Sequence, residues 1–242
     1  LTLPNPQYIS RLAMKSEFDS PGITNSHVSY LKQRLCGSSE EEKLVNVLLD
    51  EIHVKSTIEY KGGRIKGVAD NSPDAANCIQ AFMVASLRSP HKDIVALFPV
   101  KRINATDLLD YTKRVLDILH SIGYKVLSLI SDNNRVNRKM FEQFCGGILT
   151  PYIDNPYDPG NKLFFLFDTV HILKCIRNNW LNEKTITFTV PQFDGDLNVN
   201  VSFEPIRNLY SCENSKFLKL APSLSQKVLY PSSFERQNVS LA

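Results

Sequence analysis

The alternation of apolar and polar positions changes character twice along this chain. The first clear run, Leu44-Val45-Asn46-Val47-Leu48-Leu49, reads as a strand buried on both faces, and it leads straight into Asp50-Glu51. Residues 55–60 alternate, Lys61-Gly62-Gly63-Arg64 has the composition of a hairpin turn, and 65–69 returns. Stretches 80–86 and 93–100 add two strands in the same antiparallel style. The period then becomes helical: Leu108, Leu109, Val115, Leu116, Ile118, Leu119 and Ile122 share a face, opened at Asn104–Asp107 and stopped by Gly123. A strand at 125–131 ends at Asp132. A helix over about 136–144 stops at Gly146-Gly147, and a loop of Pro, Asp and Asn runs from 151 to 160. The strand 162–167 ends at Asp168, and a helix follows over about 170–181.

This order of strands first, then alternating helices and strands, predicts an α/β (mixed α+β) fold built on a mixed sheet. Residues 1–43 read as a helical lead-in, with short amphipathic pieces at 8–12 and 28–32 split by the turn Ser20-Pro21-Gly22. Residues 44–184 form the main body. Residues 185–242 open a further domain with short strands at 185–190 and 197–203, then a helical or irregular tail.

Composition narrows the partners only a little. The chain has 242 residues, 43% hydrophobic and 22% charged, and a net charge of +3, which is compatible with a nucleic-acid partner. Its five cysteines include no C-x-x-C pair, so neither a disulfide framework nor a zinc site is expected. No apolar run reaches membrane-spanning length. The opening at Leu1 and the close at Ala242 without a helix stop read as an internal piece of a longer protein.

Two buried-looking strands each deliver an acid, Asp50 and Asp132. A carboxylate at the end of a buried strand is costly unless paired or bound to a cation. Two of them on neighbouring strands are hard oxygen donors of the kind Mg²⁺ or Mn²⁺ takes. The bland alternative is that each caps the following turn or helix, and Asn133-Asn134 after Asp132 suits a cap. Leu48-Leu49-Asp50-Glu51-Ile52-His53 also has the look of a nucleotide-hydrolase acidic box. That reading demands a G-x-x-x-x-G-K-[ST] loop, and no such loop is present. A third group follows Asp168: His171, Lys174 and Arg177 recur every three residues on one side of a helix, a possible phosphate-holding ridge, with Val170, Leu173, Ile176 and Trp180 expected toward the core. Arg135, Arg138 and Lys139 read as a solvated basic face, and Tyr8, Tyr30 and Tyr60 as packing residues rather than stacking platforms.

Several segments together look familiar. They are Leu48-Leu49-Asp50-Glu51 with the Gly-Gly hairpin and Gly67-Val68-Ala69-Asp70, then Ser131-Asp132-Asn133-Asn134-Arg135-Val136-Asn137-Arg138-Lys139. Phe167-Asp168-Thr169-Val170-His171-Ile172-Leu173-Lys174-Cys175-Ile176-Arg177-Asn178-Asn179 is the most specific. Lys219-Leu220-Ala221-Pro222-Ser223-Leu224-Ser225 and Tyr230-Pro231-Ser232-Ser233-Phe234 follow. In order and spacing they resemble the P-element transposase family, which includes THAP-domain transposases and their host-domesticated relatives.

The resemblance implies an RNase H-like catalytic core with a mixed five-stranded sheet, and an Asp-Asp-Glu triad in which Asp50 and Asp132 match the two aspartates. It implies cut-and-paste DNA transposition by metal-dependent phosphodiester hydrolysis and strand transfer. It further implies Mg²⁺ or Mn²⁺, DNA as partner, a homo-oligomer when intact, a nuclear location, no membrane association, and an insertion domain that binds GTP in the family's founding member. Asp168, His171, Lys174 and Arg177 would support the site or the nucleic acid. The triad's Glu lies on a later helix; Glu142 and Glu183 stand in the wrong places for it. The zinc-binding THAP domain is also absent from this stretch. Two of three ligands are therefore expected here, and this piece alone is expected not to cut DNA. The competing expectation is a domesticated or decayed copy that binds DNA or protein without catalysis.

Overall fold

The computed structural model describes residues 21–182, 186–192 and 195–238. The predicted piece at 8–12, the Ser20 part of the turn and Glu183 lie outside the described residues. By its contacts the chain divides into two units, one up to Phe167 and one from Asp168 onward. The division therefore falls before the last helix of the predicted main body rather than after 184.

Among the described residues the first helix of this unit is α1 (Asn25–Leu35), capped by the Thr24 side chain accepting from the His27 amide. Its buried positions His27 and Leu31 lie one turn apart. Strands β1 (Leu44–His53), β4 (Cys78–Ser86) and β5 (Lys92–Val100) are antiparallel neighbours, and a small hairpin, β2 (Glu59–Lys61) and β3 (Arg64–Lys66), departs between β1 and β4. Helix α2 (Ala105–Ile122) runs from the Asn104 cap, whose side chain accepts from the amides of Thr106 and Asp107, to Gly123 in the left-handed region at φ 109°. The buried side of α1 packs on β5 and α2. β6 (Lys125–Ser131), α3 (Arg135–Phe144), β7 (Tyr152–Asp154) and β8 (Lys162–Phe167) complete the unit.

The sheet order is β5-β4-β1-β6-β8-β7, with β1–β6 and β6–β8 parallel and the other pairs antiparallel. It has six strands where five were expected. The extra strand β7 forms inside the predicted Pro/Asp/Asn loop because Asn155 and the positive-φ Gly160 turn the chain back onto β8. β1 also runs on past Leu49 to His53, since its pairing with β4 continues to His53 opposite Cys78. Its positions alternate fully buried Val45, Val47 and Leu49 with half-buried Leu44, Asn46 and Leu48, so the two faces are not equally covered.

The core lies between one face of the sheet and α2 and α3. Phe82 meets Phe98 edge-on at 5.8 Å, Phe98 stacks on Tyr111 at 4.2 Å, and Phe141 packs on Phe165 at 4.9 Å. Each of these rings is nearly or fully excluded from water, which is worth about 1.5–3 kcal/mol per large apolar side chain.

The second unit contains α4 (Thr169–Leu181), the hairpin β9 (Ile186–Val190) and β10 (Leu197–Val201), α5 (Glu204–Asn214), a short α6 (Gln226–Leu229) and a 3₁₀ turn at Glu235–Gln237. Leu181, Phe203 and Leu229 form its small core, with Trp180, Ile206, Tyr210 and Leu224 against it.

Candidate active site

β1 and β6 are hydrogen-bonded parallel neighbours, paired from Leu44 opposite Lys125 to Leu48 opposite Ile130. Two residues further along each chain stand Asp50 and Asp132. Both acids therefore reach the same end of the sheet, delivered by adjacent strands. They arrive in different settings.

Asp50 is exposed, on the opposite face of β1 from buried Val47 and Leu49. Its Oδ1 accepts from the Glu51 amide at 2.8 Å, and its carbonyl accepts from the Gln80 side chain at 3.2 Å. Asp132 sits where β6 turns into α3. Its Oδ1 accepts from the Asn134 amide at 3.3 Å and from buried Asn137 Nδ2 at 2.5 Å, while Asn134 caps α3 through the Asn137 amide. Capping is thus shared: Asn134 holds the helix, and Asp132 braces the turn before it.

Glu51 had no role in the sequence reading, and the structure gives it one. It points to the core-side face and lines a cleft of about 450 Å³ with His53, Cys78, Lys101, Arg102 and Asn134. Burial, and next the Asp132 carboxylate, push its acidity toward the protonated form, and Asp132 acts on it more strongly than the adjoining Asp50. His53 opposes the shift, and Cys78 Sγ lies 3.9 Å from Glu51 Oε2. Three carboxylates, Asp50, Glu51 and Asp132, therefore accumulate like charge at the ends of two strands. Strict strand alternation was the available signal: adjoining acids on one strand must face opposite sides. Asn137 was also missed, because its bond to Asp132 depends on how α3 docks.

Asp50 and Asp132 are oxygen donors suited to a hard divalent cation, and the crowding of carboxylates suits a positive partner. The fit covers the two expected ligands. Among the described residues, no group of three or more His, Cys, Asp or Glu side chains is placed to hold a metal ion.

The Asp168 group belongs to the second unit and is built differently from expectation. Asp168 caps α4 by accepting from the Val170 amide at 2.8 Å. His171 Nδ1 and Lys174 Nζ are 3.2 Å apart. Arg177 is buried, donating to the Arg236 carbonyl at 3.0 Å and to Asn178 Oδ1 at 3.2 Å. Burial, then the neighbouring Arg236 charge, lower its pKa. This makes Arg177 a brace inside its own unit. Val170, Leu173 and Ile176, expected in the core, are exposed at 44%, 57% and 39%. The reason is the rotation of α4, set by Arg177 and Asn178 on the Arg236 carbonyl and by Leu181 in the small core.

Arg135, Arg138 and Lys139 are exposed, as a solvated face requires. Tyr30 donates to Asp93 at 2.8 Å, whereas Tyr60 is 77% exposed and packs on no core.

Comparison with known proteins decides the ancestry of this arrangement. Residues 19–145, just over half of the chain and including both Asp50 and Asp132, match the family model of the TNP-like RNase H N-terminal domain. The chain belongs to this family. It is 25% identical over 147 residues to the Transposable element P transposase of Drosophila melanogaster, an alignment covering 61% of this chain and 18% of that protein. It superimposes on a solved structure, the Drosophila P element transposase strand transfer complex, with a TM-score of 0.76 and 20% identity, over 99% of this chain and 49% of the other. The chain spans under a fifth of that relative's length and about half of the solved chain. The fold is RNase H-like, and the chain is P-element transposase-like.

Proposed function

We propose that this chain is the front part of a DNA transposase catalytic domain, in which Asp50 and Asp132 supply two of three carboxylate ligands to Mg²⁺ or Mn²⁺ for phosphodiester hydrolysis and strand transfer. The observation that carries the reading is the parallel pairing of β1 with β6, which brings Asp50 and Asp132 to the same end of neighbouring strands. It is supported by the likeness to a solved strand transfer complex and by membership of a transposase-like RNase H family. When bound, the metal supplies activation of the attacking oxygen and stabilisation of the leaving oxygen.

The chain's own residues hold that arrangement. The Asn137 amide and the Asn134 backbone fix one oxygen of Asp132. Gln80, buried beside β1, holds the Asp50 carbonyl and so the strand that carries Asp50. Glu51, with Lys101 and Arg102 across the cleft, sets the charge beside the ligands. The third carboxylate, any GTP-binding insertion, a THAP domain, the oligomeric state and a nuclear location belong to the intact protein under this reading.

Cleavage of a labelled transposon-end duplex by the intact protein with Mg²⁺ tests it. Asp50→Ala and Asp132→Ala are each expected to lower cleavage by about 10²–10³ or more, the scale of removing one electrostatic stabiliser. Cleavage unchanged in either variant rejects the mechanism. A wild-type protein that binds the duplex and never cuts it would instead assign a domesticated, non-catalytic role.

A further inference from the structure

We propose that the β2–β3 hairpin is a DNA-contacting arm, gripping phosphates with Lys61, Arg64 and Lys66 and a base or sugar face with Tyr60. This rests on the DNA reading above and adds a contact surface outside the carboxylate site.

Four observations carry it. First, the hairpin is sharply specified yet contributes nothing to the core. Gly62 and Gly63 take φ 61° and 78°, the pair of left-handed residues that a tight two-residue turn requires. At its base, a Cβ on Gly67 would lie 2.0 Å from the Thr57 carbonyl oxygen, so only glycine fits. All six strand residues are nevertheless exposed. An isolated two-stranded hairpin is marginal in water, so burial of its own side chains does not explain it.

Second, its two faces are chemically distinct. Tyr60 pairs with Ile65 on one face, 77% and 67% exposed. Glu59 pairs with Lys66, and Lys61 with Arg64, on the other. Like charges directly opposite each other destabilise a strand pair, so the Lys61–Arg64 pair opposes folding unless an anion sits against it.

Third, among the described residues none of Lys55, Lys61, Arg64 and Lys66 makes an ion pair. Some other surface cations do, as Lys101 does with Asp74 at 2.7 Å. Fourth, residues 54–67 carry four cations against one carboxylate, an excess equal to the +3 of the whole chain. The remaining residues sum to no net charge. The hairpin also follows β1 directly, leaving from the strand end that presents Asp50 and Glu51.

A polyanion with flat apolar faces satisfies both sides at once: phosphates opposite the cations, and a base or sugar against Tyr60 and Ile65. An acidic protein surface would answer only the cationic side.

The test is fluorescence anisotropy of the 242-residue chain with a labelled DNA duplex across a salt series. Combining Lys61→Ala, Arg64→Ala and Lys66→Ala is expected to weaken binding about tenfold or more. It is also expected to flatten the dependence of log affinity on log salt by roughly 0.9 for each phosphate no longer neutralised. Tyr60→Ala is expected to weaken binding about fivefold or more with the salt slope unchanged. The charge-keeping set Lys61→Arg, Arg64→Lys and Lys66→Arg should bind as wild type, which separates charge from folding.

Affinity and slope unchanged in the alanine set overturn the proposal, as does equal loss in the charge-keeping set. Displacement of DNA by polyglutamate at matched charge also overturns it, in favour of an acidic protein partner. If the wild type binds DNA and the intact protein cleaves it while the hairpin variants bind normally, only the arm is rejected. If the wild type binds no DNA, the arm falls together with the functional reading.

Discussion

Single side chains hold the site together at both ends of the β1–β6 pair. At the entry end, Glu40 bridges Lys43, just before β1, at 2.5 Å and Lys125, the first residue of β6, at 2.9 Å. These two bonds, then the lysine charges, hold Glu40 down at about 2, and Lys125 is raised in turn. A carboxylate depressed in the folded state adds stability above its ordinary pKa of 4.5 and loses it as pH falls through about 2. Glu40→Gln should therefore melt below wild type at neutral pH, with the gap closing between pH 4.5 and about 2 and narrowing in high salt. Thermal midpoints of both proteins across pH check this, and a gap independent of pH would exclude the clamp. At the exit end, a buried amide performs the matching task, Asn137 on Asp132. Asp132 was legible as a candidate from its place after an apolar strand. Its amide partner was not, since sequence spacing does not reveal that α3 turns Asn137 back onto it.

Elements were legible where their ends carry local chemistry. Asn104 and Gly123 bound α2 because a side-chain oxygen satisfies the first amides and a left-handed glycine closes the last turn. The Gly62-Gly63 turn was legible for the same reason. Its base was not: the need for glycine at position 67 comes from Thr57 across the hairpin stem. With φ at 90° as well, Gly67→Ala should cost about 1–3 kcal/mol. The damage should be local, seen as faster amide exchange over residues 54–69 with β4 and β5 still protected. Uniform exchange, or no change in the urea midpoint, would contradict it. The rotation of α4 was the clearest misreading at this scale. A period of three placed His171, Lys174 and Arg177 together, but periodicity cannot say which face is inside. The Arg236 carbonyl and the core around Leu181 decided that.

At the scale of the molecule the two units differ in how much they bury. The large core from Leu31 to Phe165 lies wholly in the first, while the apolar core of the second, among the described residues, is the small cluster of Leu181, Phe203 and Leu229. A domain's stability follows the apolar area it removes from water. A chain ending at Phe167 should therefore unfold cooperatively, with a thermal midpoint within about 5 °C of the full 242-residue chain. A broad or absent transition by circular dichroism would show that the first unit depends on the second for its stability.

The sequence by itself determined the order of the longer strands and helices, though not the short β7, together with the caps and turns at their ends and two acids near the ends of apolar strands. These come from interactions among residues close along the chain, so composition and period record them. Tertiary structure alone decided that β1 lies between β4 and β6, that Glu51 rather than Asp50 takes the core-side face, that Arg177 is enclosed, and that the Tyr60 hairpin stands in solvent. Each of those depends on which distant segment completes a hydrogen-bond ladder or covers a face, and no local pattern carries that information.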